Sequence, residues 1–340
     1  MAEPWYNTSG KNGDVVCSTR IRLARNLANY PFPIKMTDEQ KKAVCEEIKE
    51  IFSRTNSYLS ENFDYIQLDE LTNSELLSYA ERHVLSPEFI SGDKTGKAFI
   101  VNKDSSISVM INEEDHIRIQ SVQAGEELQK TFDMADKIDN LISERTKIAF
   151  DDRLGYLTQC PTNLGTGMRA SLMMHLPALH ESGAIPRITS NLSKLGIVMR
   201  GTYGEGSNVT GAMYQLSNQI TLGLKENEAI ENLVAIASQI VEKERNYRKE
   251  LTGNIAVQDK ICRALGTLKF ARILSTAQYM ELISLVKFGM STGLISGITQ
   301  GDINKLTNMV QPHVLLPDSS ASERDFRRAQ LVRDALKSAE

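Results

Sequence analysis

Long apolar runs are absent. No stretch of the 340 residues approaches the ~20 apolar positions that a membrane-spanning helix needs. The opening MAEPWYNTSGKNGD is polar and lacks the apolar core of a secretory signal peptide. Cysteine is sparse. Cys17, Cys45, Cys160 and Cys262 lie far apart with no CxxC pair, which argues against a zinc knot and for reduced thiols rather than a disulfide framework. Charge of one sign is lacking too. A formal net charge of −4 gives no reason to expect nucleic acid as the main partner, although it is compatible with local basic patches. The expectation is a soluble, cytoplasmic protein.

With 41% apolar and 24% charged residues the composition is that of a globular protein, and 340 residues favour two domains over one. After a lead-in over residues 1–14, VVCSTRIRLARNL starts as a strand. TDEQKKAVCEEIKEIFSRTNSYL predicts a helix, because Thr37 and Gln40 make a capping box and Val44, Ile48, Ile51 and Phe52 share one face. TNSELLSYAERHVLS predicts a second helix, capped near Thr72 or Ser74. KAFIVN, SSISVMIN and HIRIQSV read as adjacent strands, and residues 124–144 as a helix with Leu128, Phe132, Ala135, Ile138 and Leu141 on one stripe. Short strands at KIAF and GYLT precede the loop QCPTNLGTG. A helix is then predicted through MRASLMMHLPAL, followed by a strand GIVMR, the loop GTYGEGSN and a strand AMYQLSN. From about residue 226 helical periodicity takes over. The expected class is α+β, with a domain over residues 15–245 built on a largely antiparallel sheet and an all-helical domain over residues 246–340.

The chemistry is carried by arginines. Arg20 and Arg22 alternate on a strand and so point to one side of a sheet. Arg118 sits at a strand start, Arg169 in the predicted first turn of a helix, and Arg200 at a strand end before GTYGEG. Five arginines at element ends, several beside Gly-rich loops, suit a highly charged anion, since the planar guanidinium makes bidentate contacts with phosphate and does not titrate away. Arg25 is expected to be an ordinary solvated side chain. The cluster EEDH, residues 113–116, invites a metal reading, but adjacent residues of a strand face opposite ways and cannot all converge on one ion.

Neither a GxxxxGK[ST] loop nor a GxGxxG loop with HRD and DFG companions occurs, which disfavours the usual nucleotide folds. STRIRLARN, INEEDHIRI, CPTNLGTGMRASLMMHLPAL and RGTYGEGS, in that order across roughly residues 15–225, resemble the signature segments of the ATP:guanido phosphotransferases. That family includes creatine and arginine kinases. Its phosphagen kinases carry a further N-terminal helical domain of on the order of 100 residues. This sequence begins almost directly at the catalytic segments and carries a C-terminal helical extension instead, which resembles the bacterial branch that phosphorylates arginine side chains of proteins. RDFRRA, residues 324–329, resembles a phosphoarginine-binding motif of that branch.

The resemblance implies a catalytic role for Glu114 and Glu205, which hold the substrate guanidinium and accept its proton. It implies ATP binding by Ser18, Thr19, Arg20, Ile21 and Arg22, by His83 near the base or ribose, and by Arg118. Arg169, Ala170, Ser171, Leu172 and Met173 join them, as do Arg200, Gly201, Thr202, Tyr203, Gly204 and Glu205. Mg²⁺ rides mainly on the ATP phosphates without a direct protein ligand, Glu113 and Asp115 being candidates to touch its waters. Cys160 modulates the site and His116 is structural. Arg324, Asp325, Arg328 and Ala329 form an allosteric phosphoarginine pocket. The implied function is protein-arginine phosphorylation in bacterial stress response and protein quality control. Implied partners are exposed arginines of proteins, a small activator, a transcriptional repressor, a Clp-type protease and a second copy of the chain. The alternatives are a free-guanidino phosphagen kinase and a non-catalytic phosphoarginine-binding adaptor. A site with no N-terminal domain to close over a small substrate suits a polypeptide better, and a pure binder has no use for a proton acceptor.

Overall fold

The computed structural model describes residues 3–54, 61–202 and 209–340. The first strand, β1 (Val16–Arg25), leads to helix α1 (Asp38–Arg54), where Thr37 and Gln40 cap each other reciprocally as the spacing predicts. Then come β2 (Phe63–Gln67), α2 (Asn73–Glu81), a single turn α3 (Pro87–Ile90), β3 (Ala98–Asn102), β4 (Ile107–Ile111), β5 (Ile117–Ala124) and α4 (Leu128–Ser143). A two-residue hairpin, β6 (Phe150–Asp151) and β7 (Gly155–Tyr156), precedes β8 (Met168–His175), α5 (Pro177–Glu181), α6 (Ile185–Ser193), β9 (Ile197–Gly201) and β10 (Met213–Asn218). The remainder is helical: α7 (Glu226–Thr252), α8 (Ile255–Phe270), α9 (Thr276–Ser291), α10 (Gln300–Met309), α11 (Pro312–Leu315) and α12 (Ala321–Ala335).

Eight strands pair antiparallel in the order β2-β3-β4-β5-β1-β8-β10-β9. Alternation along each strand decides what each face meets. Ile21 and Leu23 of β1, Ile119 of β5, Ala170, Leu172 and Met174 of β8 and Leu216 of β10 join the main core with α1, α4 and α7. The opposite face is covered over β3 and β4, where Phe99, Val101 and Met110 pack with Leu76 of α2 and Phe89 of α3, and at the end of β8, where His175 meets Ser284 of α9. Its middle, over β5, β1 and β8, is left to polar side chains. A separate core joins α8, α9, α10 and α12.

Three predicted boundaries are corrected. MRASLMMH is a strand, not a helix, so Arg169 does not lie in a helical turn. Its Ala, Leu and Met are good helix formers, but pairing on both sides with β1 and β10 and burial of alternate residues outweigh that propensity. The second helix ends at Glu81 rather than running to Ser86, because His83 adopts a left-handed backbone (φ 61°). The helix predicted from residue 124 starts at Leu128, since β5 continues to Ala124 and Gly125 (φ 72°) turns the chain against Gly10, where a side chain would collide with backbone. The α+β class holds, and α7 runs unbroken across residues 245 and 246.

Candidate active site

Register gathers the arginines. Arg22 lies opposite Arg169 on β8 and Gln120 on β5, and Arg20 lies opposite Ser171 and Val122. Arg118, two residues before Gln120, therefore shares their face. On the other side Ser18 faces Met173, Met173 faces Gln215, and Gln215 faces Arg200. Arg20 Nη2 donates to Gln215 Oε1 at 2.9 Å. All five arginines thus stand on the uncovered face of the sheet, with Ser18, Ser171 and Met173 among them. Thr19, Ile21, Ala170 and Leu172 point the other way and are 0% exposed. Their side chains hold the strands; Thr19 donates to Gly125 O at 2.6 Å and accepts from Glu127 N. A nucleotide over the other face would meet only the backbone of these four residues, not their side chains.

Crowding of like charge is severe. Burial first, then Arg118 and Arg169, push Arg20 down to about 10. Arg22 is driven well below its ordinary value by burial and by Arg20, Arg118 and Arg169. Arg22 Nε is buried and finds no hydrogen-bond partner among the described residues. Cations held this way by a rigid sheet are a receptor for a polyanion.

The carboxylates come from the β4–β5 hairpin. Asn112 (φ 61°) turns the chain, and its amide donates to Gly96 O and Lys41 O. EEDH is therefore a hairpin turn rather than a strand segment, and its members diverge. Asp115 is 0% exposed and accepts from Asn26 Nδ2 (2.6 Å) and Gln159 N (2.7 Å), so it braces the loop before Cys160 and does not reach a cation's waters. His116 is structural, as expected. Its Nδ1 accepts from Leu27 N and its Nε2–H faces Pro31 O, while burial lowers its pKa and keeps it neutral. Glu113 accepts from Arg118 Nη1 (2.7 Å), Ser86 Oγ (3.1 Å) and Glu114 N (2.6 Å). Glu114 accepts from Arg118 Nη2 at 3.0 Å and from Asn163 Nδ2 at 3.4 Å.

Both sets meet in one cleft of ≈ 340 Å³, lined by Arg22, Arg118 and Arg169 together with Glu88, Glu113 and Glu114. Cys160, Thr162 and Asn163 form its lip, with Cys160 Sγ 3.0 Å from Thr162 Oγ1. Sequence reasoning missed Glu88, Ser86, Gln120 and Gln215. Asn163 lay within a quoted motif without being singled out. Only cross-strand register points to the two glutamines.

Two further candidates stay beside the arginine set, where the charge of Arg20 acts on His83 and that of Arg200 on Arg169. His83 is exposed, and its ring centroid is 6.3 Å from Trp5. Arg200 is exposed on β9, Gly201 pairs with Tyr214, and Thr202 Oγ1 donates to Met213 O. Tyr203, Gly204 and Glu205 lie outside the described residues. Arg25 is not solvated. It is 2% exposed, grips Asp139 with Nε and Nη2 at 2.6–3.0 Å and lies 3.4 Å from the Tyr156 ring centroid. Desolvation is tolerable there because the pair is bidentate. In the helical region Arg328 is 1% exposed and donates to Val310 O, Leu274 O and Asp325 Oδ1 (2.6 Å). Ala329 is core, and Arg324 is half-buried beside them. No group of three or more metal-ligating side chains occurs among the described residues, and no described helix is long and apolar enough to cross a membrane.

An arginine-lined anion site sharing a cleft with carboxylates fits a phosphoryl-transfer enzyme with a cationic acceptor. The chain belongs to the ATP:guanido phosphotransferase family: residues 43–247 match the family's C-terminal catalytic domain. Residues 254–340 match the protein-arginine kinase McsB C-terminal domain. The protein-arginine kinase of Caldanaerobacter subterraneus subsp. tengcongensis is 43% identical over 329 residues, spanning 95% of this chain and 97% of that protein. That of Clostridium acetobutylicum is 42% identical over 98% of this chain and 99% of its own length. Among solved structures, lombricine kinase aligns with a TM-score of 0.61 at 25% identity, covering 72% of this chain and 71% of that one. The duplicated taurocyamine kinase of Schistosoma mansoni, at 23% identity and a TM-score of 0.62 over 85% of this chain and 48% of that one, shares the fold.

Proposed function

We propose that the protein transfers the γ-phosphate of ATP to the guanidinium of arginine side chains in proteins. The observation that carries this reading is the single cleft in which Glu114 stands beside Arg22, Arg118 and Arg169. A guanidinium is a poor nucleophile, since its lone pairs are delocalised and its pKa lies above ~12. Glu114 holds the incoming group and orients one nitrogen toward the γ-phosphorus. As the N–P bond forms, the P–O bond to ADP breaks and the nitrogen's proton passes to the carboxylate. Glu205 is the second carboxylate in this reading. The arginines neutralise the phosphates as charge shifts onto the leaving group. Ser18, Ser171, Met173 and His83 flank the nucleotide, together with residues 200–204, and Cys160 tunes the lip.

Arg118 now ties Glu113 to Glu114. In the working enzyme the phosphates draw Arg118 away, which frees Glu114 for the substrate guanidinium. The carboxylates Glu88 and Glu113 at the anion site suit the waters of a hard cation. Mg²⁺ bound to the ATP phosphates supplies charge neutralisation there.

The reading divides the chain into a catalytic domain over 15–245 and a helical domain over 246–340. Arg324, Asp325, Arg328 and Ala329 would recognise a phosphoarginine through its paired charges. It also places the protein in the cytoplasm, in stress response and quality control, with a small activator, a repressor, a Clp-type protease and a second copy as partners.

Labelled ATP with Mg²⁺, offered free arginine in one tube and an arginine-rich unfolded protein in another, tests the proposal. Acid-labile, base-stable label on the protein is the expected result, and label on free arginine alone would favour a phosphagen kinase. Glu114→Gln is expected to cut kcat by about 10²–10⁴-fold while ATP still binds.

A further inference from the structure

Segment 82–86 is pinned at both ends, and its two anchors lie in different parts of the molecule. At its start Glu81, the last residue of α2, accepts three hydrogen bonds from the helical region. They come from His313 Nδ1 (2.7 Å), His313 N (2.8 Å) and Val314 N (3.1 Å). Gln311, in the N-cap position of α11, makes no side-chain cap bond. The carboxylate of Glu81 therefore caps α11 from across the interface. At the other end Ser86 Oγ donates to Glu113 Oε1 (3.1 Å), the carboxylate that holds Arg118 and the backbone of Glu114. Between them lies His83.

The segment has little slack. His83 is left-handed, and its carbonyl accepts from Gln120 Nε2 (2.8 Å). The Val84 carbonyl accepts from Ser108 Oγ (2.8 Å) and Gln120 Nε2 (3.2 Å). Glu81 and His313 are shielded too, with side chains 17% and 24% exposed. An ordinary surface ion pair dissolves readily, but two of these three donors are backbone groups that would be orphaned. On the helical side Arg328 Nε donates to Val310 O (3.0 Å), two residues before α11 begins. A path of polar contacts joined by short stretches of backbone thus runs from α12 through α11, Glu81 and segment 82–86 to Glu113.

We propose that Glu81 and His313 form a latch by which the helical region sets the position of segment 82–86 and, through it, of His83 and Glu113 in the ATP site. Glu81 is a positioning residue: it touches neither substrate. The inference rests on the ATP-site assignment made above. It deepens that assignment by naming the contact through which α12 and its Asp325–Arg328 pair reach the site. Two sites joined by such a contact couple by about 5–150-fold in affinity.

Steady-state kinetics on the full chain test the latch, with thermal unfolding to confirm that each variant is folded. Glu81→Ala is expected to raise KM for ATP about tenfold with little change in kcat, and His313→Ala to raise it by a smaller factor. Glu81→Gln, which keeps an acceptor oxygen, should fall between wild type and Glu81→Ala. The double variant should be no worse than Glu81→Ala alone, because both residues serve one contact. Phosphoarginine added to the wild-type chain should shift KM for ATP. In Glu81→Ala that shift should vanish although calorimetry still records phosphoarginine binding. Wild-type KM values in both single variants, with the phosphoarginine response intact, would overturn the latch. Failure of phosphoarginine to bind the wild-type chain would instead overturn the pocket, and the KM comparison would then decide the latch alone. Should Glu81→Ala not fold, His313→Ala decides, since it removes only the ring and leaves both backbone donors in place.

Discussion

Arg20 concentrates the conflict between stability and function in this protein. Its pKa is lowered because burial and two neighbouring arginines disfavour the charged form. The folded value, about 10, lies below the ordinary arginine value, so the penalty is fully present at neutral pH and is relieved only as pH rises past about 10. Arg20→Gln should therefore raise the melting temperature of the unliganded chain and reduce the further rise that saturating ATP produces, as read by thermal unfolding with and without nucleotide. An unliganded melting temperature that falls would show the crowding to be harmless. Arg118 makes a second prediction. It occupies both Glu113 and Glu114, with bonds of 2.7 and 3.0 Å. Its charge must leave Glu114 before another guanidinium can bind there. Initial-rate kinetics should show KM for the arginine substrate falling as ATP approaches saturation. Independence of the two would mean that Arg118 does not block the site.

At the scale of elements, β8 and the β4–β5 hairpin do the assembling. Strand β8 puts Arg169 directly across from Arg22, a contact invisible while MRASLMMH is read as a helix. The hairpin throws Glu113 and Glu114 into the cleft and Asp115 and His116 into the core. Helix α4 anchors the end of β1 through the buried pair Asp139–Arg25. Removing one partner leaves the other charge desolvated and alone. Asp139→Ala should thus cost about 3–5 kcal/mol in urea unfolding. A loss near that of an exposed ion pair, below ~1 kcal/mol, would show that water reaches Arg25.

Across the whole molecule, Arg248 fastens the lead-in, the sheet and α7 together. It is 2% exposed and donates to Glu244 Oε1 (2.7 Å), Asp14 O (3.0 Å) and His175 O (2.8 Å). Glu244 in turn accepts from Ala178 N and Leu179 N at the start of α5. Arg248→Met should destabilise by about 3–5 kcal/mol, measured by chemical unfolding, because Glu244 stays buried without its cation.

Composition, the capping box at Thr37, the β3–β4–β5 pattern and the helical texture after residue 226 were legible because propensity and periodicity are local properties of the chain. So were the residue types at the site, an arginine set beside a carboxylate. Their grouping was legible only in part. Arg20 and Arg22 share a face by strand geometry alone, whereas Arg118, Arg169 and Arg200 join them through pairing between strands far apart in the chain, as Arg22 with Arg169. The solvated fate expected for Arg25 failed, and the side chains of Ile21 and Leu172 turned into the core, for the same reason. Which side of a strand meets solvent is decided by what packs on it, and that surface comes from elsewhere in the chain. Sequence alone determined what chemistry this protein carries; tertiary pairing decided which side chains share the cleft and which are spent holding it.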